Sequence, residues 1–189
     1  MIRLVLNHDH LDIALGSALA SCRHRLFIAT AVVKDLHLSP AVLEGGRAGD
    51  RGRKSRQRQA RSILEIFSRL SGKGIEIRLL HGGVPSGVFL GELKEGKARG
   101  LAMRRCPRMH MKAVIADGRR MYLGSANLTG AGLGAKSPRR RNFEAGIWTD
   151  ELSLIDPVLD MLERIWEGAQ CPSCGRKANC PVPLEEPKL

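Results

Sequence analysis

His110 and Lys112 stand two residues apart, Asp117 follows five residues later, and Gly124, Ser125 and Asn127 close the run HMKAVIADGRRMYLGSAN. Side chains alternate along a strand, so His110 and Lys112 share one face and Met111, Ala113 and Ile115 the other. Asp117-Gly118 favours a two-residue hairpin turn. The return strand then carries Ser125 and Asn127 back beside the histidine and lysine. An imidazole, an ammonium and two neutral hydrogen-bonding groups in one place suit phosphoryl transfer. The imidazole can attack phosphorus covalently. The cation, hydroxyl and amide can hold the non-bridging oxygens as charge redistributes. Asp117 has the opposite parity and lies at the turn, so it is expected to anchor the hairpin and not to act as acid or base.

The elements that must position these groups read as alternating strands and helices. Residues 2–6, 25–33, 74–80, 101–106, 110–117, 120–125 and 142–149 have strand character. Helical spacing follows Asn7 or Asp9, either of which could cap it, through Leu11, Ala14, Leu15, Ala18 and Leu19. Further helices are expected near 39–43, over 63–70, over 86–95, and after a capping Asp150 through Leu162 and Trp166. The pattern predicts an α/β fold: a mixed β-sheet flanked by helices in an α/β/α sandwich, with a short Cys-rich C-terminal tail. The expected division is a catalytic domain over 1–168 and a metal-binding tail over 169–189.

The spacing H-x-K-x4-D-x6-G-S-x-N arises by chance with a frequency on the order of 10⁻⁶ in a chain of this length. It resembles the HKD motif of the phospholipase D superfamily. That resemblance implies a phosphodiesterase in which His110 is the nucleophile, Lys112, Ser125 and Asn127 stabilise phosphate, and no catalytic metal takes part. It also implies that Glu144, on a strand after the motif, hydrogen-bonds and orients a catalytic histidine. The superfamily's mechanism uses two histidines, one to attack and one to protonate the leaving oxygen. Here no second His-x-Lys occurs, since His8, His10, His24, His37 and His81 all lack a lysine two residues on. A homodimer that joins two copies of the motif is therefore expected.

The net charge of +12 over 189 residues favours a polyanionic partner, nucleic acid before membrane. Basic residues crowd the segments around the motif: Arg53, Lys54, Arg56 and Arg58 in the glycine-rich run 45–61, which reads as a loop; Arg104, Arg105 and Arg108; and Arg139, Arg140 and Arg141. These are the candidate contacts to a DNA or RNA backbone. One-motif members of the superfamily resemble small bacterial nucleases, which makes a nuclease the leading reading. The alternatives are a phospholipase or phosphatidyl-transfer enzyme on anionic lipid, and a non-catalytic nucleic-acid-binding module. No apolar run approaches the ~20 residues of a membrane span. A cytoplasmic protein without stable membrane association is expected.

Five cysteines with a Cys-x2-Cys in that setting suggest metal binding or free thiols before disulfides. Cys171, Cys174 and Cys180 form C-x2-C-x5-C, and Cys106 is the favoured fourth ligand. Together they could hold a structural Zn²⁺ or, alternatively, an iron–sulfur cluster. Cys22 reads as a buried small hydrophobe.

Overall fold

The computed structural model describes residues 1–39, 42 and 60–187. Among them, nine strands are formed. They are β1 (Ile2–Leu6), β2 (Arg25–Thr30), β3 (His37–Leu38), β4 (Arg61–Ser62), β5 (Glu76–His81), β6 (Leu101–Arg105), β7 (Lys112–Ala116), β8 (Arg120–Gly124) and β9 (Ala145–Thr149). A seven-stranded sheet has the order β1-β9-β8-β7-β2-β5-β6. β2, β5 and β6 run parallel and the remaining pairs antiparallel, so the sheet is mixed.

β2 and β7 lie at the centre, and their almost wholly apolar sequences suit strands covered on both faces. On one face Val114, Ala116 and Tyr122 join a core with a π-helical segment (His10–Ser17) and α1 (Ala18–Ser21), α2 (Ile63–Ser71) and α3 (Gly87–Lys94). On the other, Phe27, Ala113, Ile115 and Met121 pack on Ile155, Leu162 and Trp166 of α4 (Leu152–Trp166). The result is the expected α/β/α sandwich. Glu163 of α4 is held by Arg25 at 2.7 Å and Arg78 at 2.6 Å, which fixes the helix across β2 and β5.

Several boundaries differ from the sequence reading for identifiable reasons. β2 ends at Thr30 because the Val32 N–H turns away to the Asn127 side chain. β9 starts only at Ala145, since Asn142 bonds to Ala131 and the Glu144 carbonyl accepts from Asn7. The first helix has no side-chain cap and begins as a π-helix; Asn7 instead uses its Oδ1 to accept the Glu144 N–H at 3.2 Å. Asp150 does not cap α4, whose N-cap position is Glu151. The hairpin turn uses one residue more than the predicted two. Asp117 and Gly118 both have positive φ, and Arg119 donates to Ala116, but the ladder resumes at Ala116 opposite Arg120. Most of the expected helix near 39–43 and of the basic run 45–61 lies outside the described residues. At its end, Arg61–Ser62 pairs with His37–Leu38.

Candidate active site

The motif residues collect where strands begin and end. β2 stops at Thr30 and β5 at His81, β7 starts at Lys112, β8 stops at Gly124 and β9 starts at Ala145. Pairing sets Lys112 opposite Gly124, and Gly124 opposite Gly146.

His110 lies just outside the ladder and is exposed, whereas Lys112 is 8% exposed. The Lys112 ammonium donates to the His110 carbonyl at 2.6 Å and stands 3.3 Å and 3.4 Å from Nδ1 and Nε2 of the same residue. Burial lowers the lysine pKa, and the nearby Glu144 carboxylate partly restores it. A cation with so little water around it is held rigidly and is weakly screened, which strengthens its pull on an anion.

Gly124 is required by its neighbours. A Cβ there would stand 2.4 Å from the Tyr122 hydroxyl and 2.6 Å from Gly146 Cα, and one on Gly146 would stand 2.5 Å from the Tyr122 ring. The tyrosine thus lies over a paired-glycine gap, and its hydroxyl accepts the Ala126 N–H at 3.2 Å. Residues 125–127 are positioned by that contact. The Ser125 hydroxyl bonds Glu144 Oε2, and its Oγ also accepts from the Ala145 N–H at 3.1 Å. Asn127 Oδ1 accepts from Val32 N at 3.0 Å and Thr30 Oγ1 at 3.3 Å, which leaves the amide nitrogen for a ligand. The glycine-rich stretch 128–135 turns the chain tightly: a Cβ on Gly132 would stand 2.8 Å from the Asn127 carbonyl.

Glu144 bonds Ser125 through one oxygen and Asn142 Nδ2, at 2.9 Å, through the other. No hydrogen bond joins it to His110 within the chain. The histidine-orienting contact implied by the resemblance is therefore not made by one copy alone. Thr30, Tyr122 and Asn142, which hold Asn127, Ala126 and Glu144, were not found by sequence reasoning. Their contacts join separate elements and carry no local signature.

Asp117 lies at the other end of β7. Its carboxylate accepts three backbone N–H groups, from Arg23 at 2.8 Å, His24 at 2.7 Å and Arg25 at 2.8 Å, together with the Cys22 thiol at 3.5 Å. Burial would raise its pKa, but the donors outweigh it and hold the carboxyl below the usual value. It fastens the entry of β2 to the β7–β8 turn, on the side of the sheet away from His110. Burial, reinforced by Asp117, pushes the Cys22 thiol up to about 12.

The candidate phosphate contacts are dispersed. Arg104 donates to the Trp166 carbonyl at 2.6 Å and stacks 4.8 Å from the Trp166 ring. Arg105 bonds Glu185 at 3.2 Å. Arg108 points to Cys174 Sγ, 3.8 Å away. Arg104 and Arg105 are thus occupied by α4 and the C-terminal segment. Arg139 and Arg140 are exposed in the segment that leads to Glu144, with Arg141 half-buried. Arg53, Lys54, Arg56 and Arg58 lie outside the described residues.

The family model described as "Cardiolipin synthase, PLD-like domain" matches residues 56–166, more than half of the chain and inclusive of every motif residue above. The chain belongs to the phospholipase D-like family. Members of this family transform phosphodiesters by hydrolysis or transfer, and His110 and Lys112 fall within the matched region. Among solved structures, NucT from Helicobacter pylori is similar at 17% identity and a TM-score of 0.60, over 88% of this chain and 96% of that one. Nuc from Salmonella typhimurium, described as a phospholipase D family member, is similar at 13% identity and a TM-score of 0.54, over 88% and 94%. These likenesses show the shared phospholipase D-like fold. No curated protein sequence matches the chain. No helix among the described residues is long and apolar enough to cross a membrane.

Proposed function

We propose that the protein is a nuclease that hydrolyses a nucleic-acid phosphodiester at an active site shared by two copies of the chain. His110 of one copy attacks phosphorus as the bond to the leaving oxygen breaks, and the partner subunit's His110 protonates that oxygen. The second imidazole, now neutral, takes a proton from water. The resulting hydroxide displaces the first imidazole from phosphorus, which releases a phosphate monoester and restores both rings. Lys112 and the Asn127 amide nitrogen hold the non-bridging oxygens, and Ser125 fixes Glu144 beside them.

The observation that carries this reading is the exposed His110 imidazole held against the nearly buried Lys112 ammonium. Two further features support sharing. His10 and His81 are buried, each with Nδ1 on a backbone carbonyl and Nε2 enclosed without a partner, so neither suits the role of a second catalytic imidazole. Apolar side chains are also exposed near the site: Phe143, 96% exposed beside Glu144, and Leu6 and Leu4 on edge strand β1, with Leu6 opposite Ala145. The net charge of +12 and the exposed arginines that precede Asn142 support nucleic acid as substrate.

The test is incubation of purified protein with plasmid DNA, single-stranded DNA, RNA and phosphatidylcholine vesicles, each with EDTA, beside His110→Ala. Cleavage of nucleic acid by wild type and not by the variant is expected. Turnover of lipid alone would replace this reading with phosphatidyl transfer.

A further inference from the structure

The chain after Gly168 has no buried residue among those described through Pro187, so it cannot be stabilised by a hydrophobic core of its own. Its path is nevertheless defined. Gly168 turns with φ +78°, Cys171 N–H bonds the Gly168 carbonyl at 2.8 Å, and Cys174 N–H bonds the Cys171 carbonyl at 3.2 Å. A short 3-10 turn, Lys177–Asn179, precedes Cys180. The segment then returns to the edge of the sheet, where Glu185 pairs with Arg105 of β6.

That path brings four cysteines around one space. Cys106, Cys171, Cys174 and Cys180 all line a cavity of about 200 Å³. Cys106 approaches from the catalytic sheet, 65 residues before Cys171 in the chain. It lies in the turn that leads from β6 to His110, where its N–H bonds the His81 carbonyl and its carbonyl accepts from Met109, both at 2.8 Å. Arg108, Arg176 and Lys177 line the same cavity. Cations in these positions would offset the negative charge that four sulfurs carry when bound to a metal. Among the described residues no three of these side chains already converge as a finished metal site. The four cysteines are half-buried free thiols that line the same cavity, so a metal would draw them together by side-chain rotation.

We propose that Cys106, Cys171, Cys174 and Cys180 together bind a structural thiophilic metal, as one Zn²⁺ or as an iron–sulfur cluster, which fastens the C-terminal segment to the turn before His110. Four thiolates complete the closed coordination that structural zinc prefers, and the same donor set holds clustered iron. The metal would replace the absent apolar core as the source of order in residues 169–187. It would also link the tail to the position of the nucleophile while taking no part in the reaction.

The test is metal and acid-labile sulfide analysis, with visible absorbance, of the full chain purified without chelator, both aerobically and anaerobically. Wild type and Cys22→Ala should retain stoichiometric metal. Colourless protein with zinc identifies the single ion; coloured protein with iron and sulfide identifies the cluster. Cys171→Ser and Cys174→Ser should each lose at least ten-fold of the bound metal and become more readily cleaved by protease after Gly168. Should the variants fail to fold, mercurial titration of folded wild type must release the metal as the thiols react. Wild type that holds neither zinc nor iron, even after reconstitution with each, would overturn the proposal. So would serine variants that retain the wild-type metal content.

Discussion

The Lys112 ammonium bonds the carbonyl of His110 while it faces both nitrogens of the same residue's ring at 3.3 Å and 3.4 Å. One side chain thereby sets the backbone of the proposed nucleophile and would supply the cation that its target phosphate needs. Lys112→Met should lower kcat by about 10²–10³, the usual loss on removing one stabilising donor from a developing anion. Lys112→Arg should not restore the rate, because a larger planar guanidinium does not reproduce the compact ammonium's bond to the His110 carbonyl at this nearly buried position. Single-turnover kinetics on a defined oligonucleotide measure both.

A site shared as proposed makes activity depend on the square of the wild-type fraction. Equal amounts of wild type and His110→Ala, co-refolded so that subunits exchange, should give about a quarter of the activity of the same total amount of wild type alone. Independent sites would give half. Sedimentation of the same samples reports whether the dimer persists in the variant.

Gly124→Ala places a methyl group against Tyr122 Oη and Gly146 Cα. A cost of about 1–3 kcal/mol is expected, typical of overpacking, together with displacement of Ser125 and loss of activity. Tyr122→Phe should not rescue it, since the clash with the Gly146 backbone remains. Urea unfolding of the single and double variants reads this out.

Asp117→Ala strips one acceptor from three backbone N–H groups and should cost about 2–3 kcal/mol. His110, the proposed nucleophile, lies at the opposite end of β7, so kcat of the folded variant should change little. A fall in kcat with no change in unfolding midpoint would contradict the anchoring role.

Burial lowers the pKa of both His10 and His81, since enclosure away from water disfavours the charged imidazole. The unfolded chain binds protons near the ordinary value of about 6.5, above the folded values. Stability is therefore full above that pH and declines as pH falls through the window down to the folded values. The Asp117 contribution is lost only lower, below about pH 4, because its folded pKa is depressed. Urea midpoints at pH 5, 6, 7 and 8 should drop on the acid side, and His81→Gln should flatten the slope. A midpoint unchanged between pH 5 and 7 would contradict this.

Much of the site was readable in advance because it is local. His110, Lys112, the turn at Asp117-Gly118 and the return to Ser125 are fixed by strand alternation and turn chemistry within eighteen residues. The same short-range rules placed α2 and the central strands, where the apolar spacing is unambiguous. Arg104 and Arg105 show what such reading does not see. Beside the motif they resemble phosphate ligands, but Trp166 and Glu185, distant in sequence, engage them. Charge in a sequence does not reveal which cations are already paired.

The amino-acid sequence by itself determined the residue types, their spacing along β7 and β8, and hence the family and the chemistry on offer. Only the tertiary structure decided that Asn127 is fixed by Thr30, 97 residues away, that Asp117 ties down the entry to β2, and that Cys106 faces the C-terminal cysteines. These contacts depend on which strand ends the sheet brings together. That arrangement is set by packing of the whole chain, and no local run of residues encodes it.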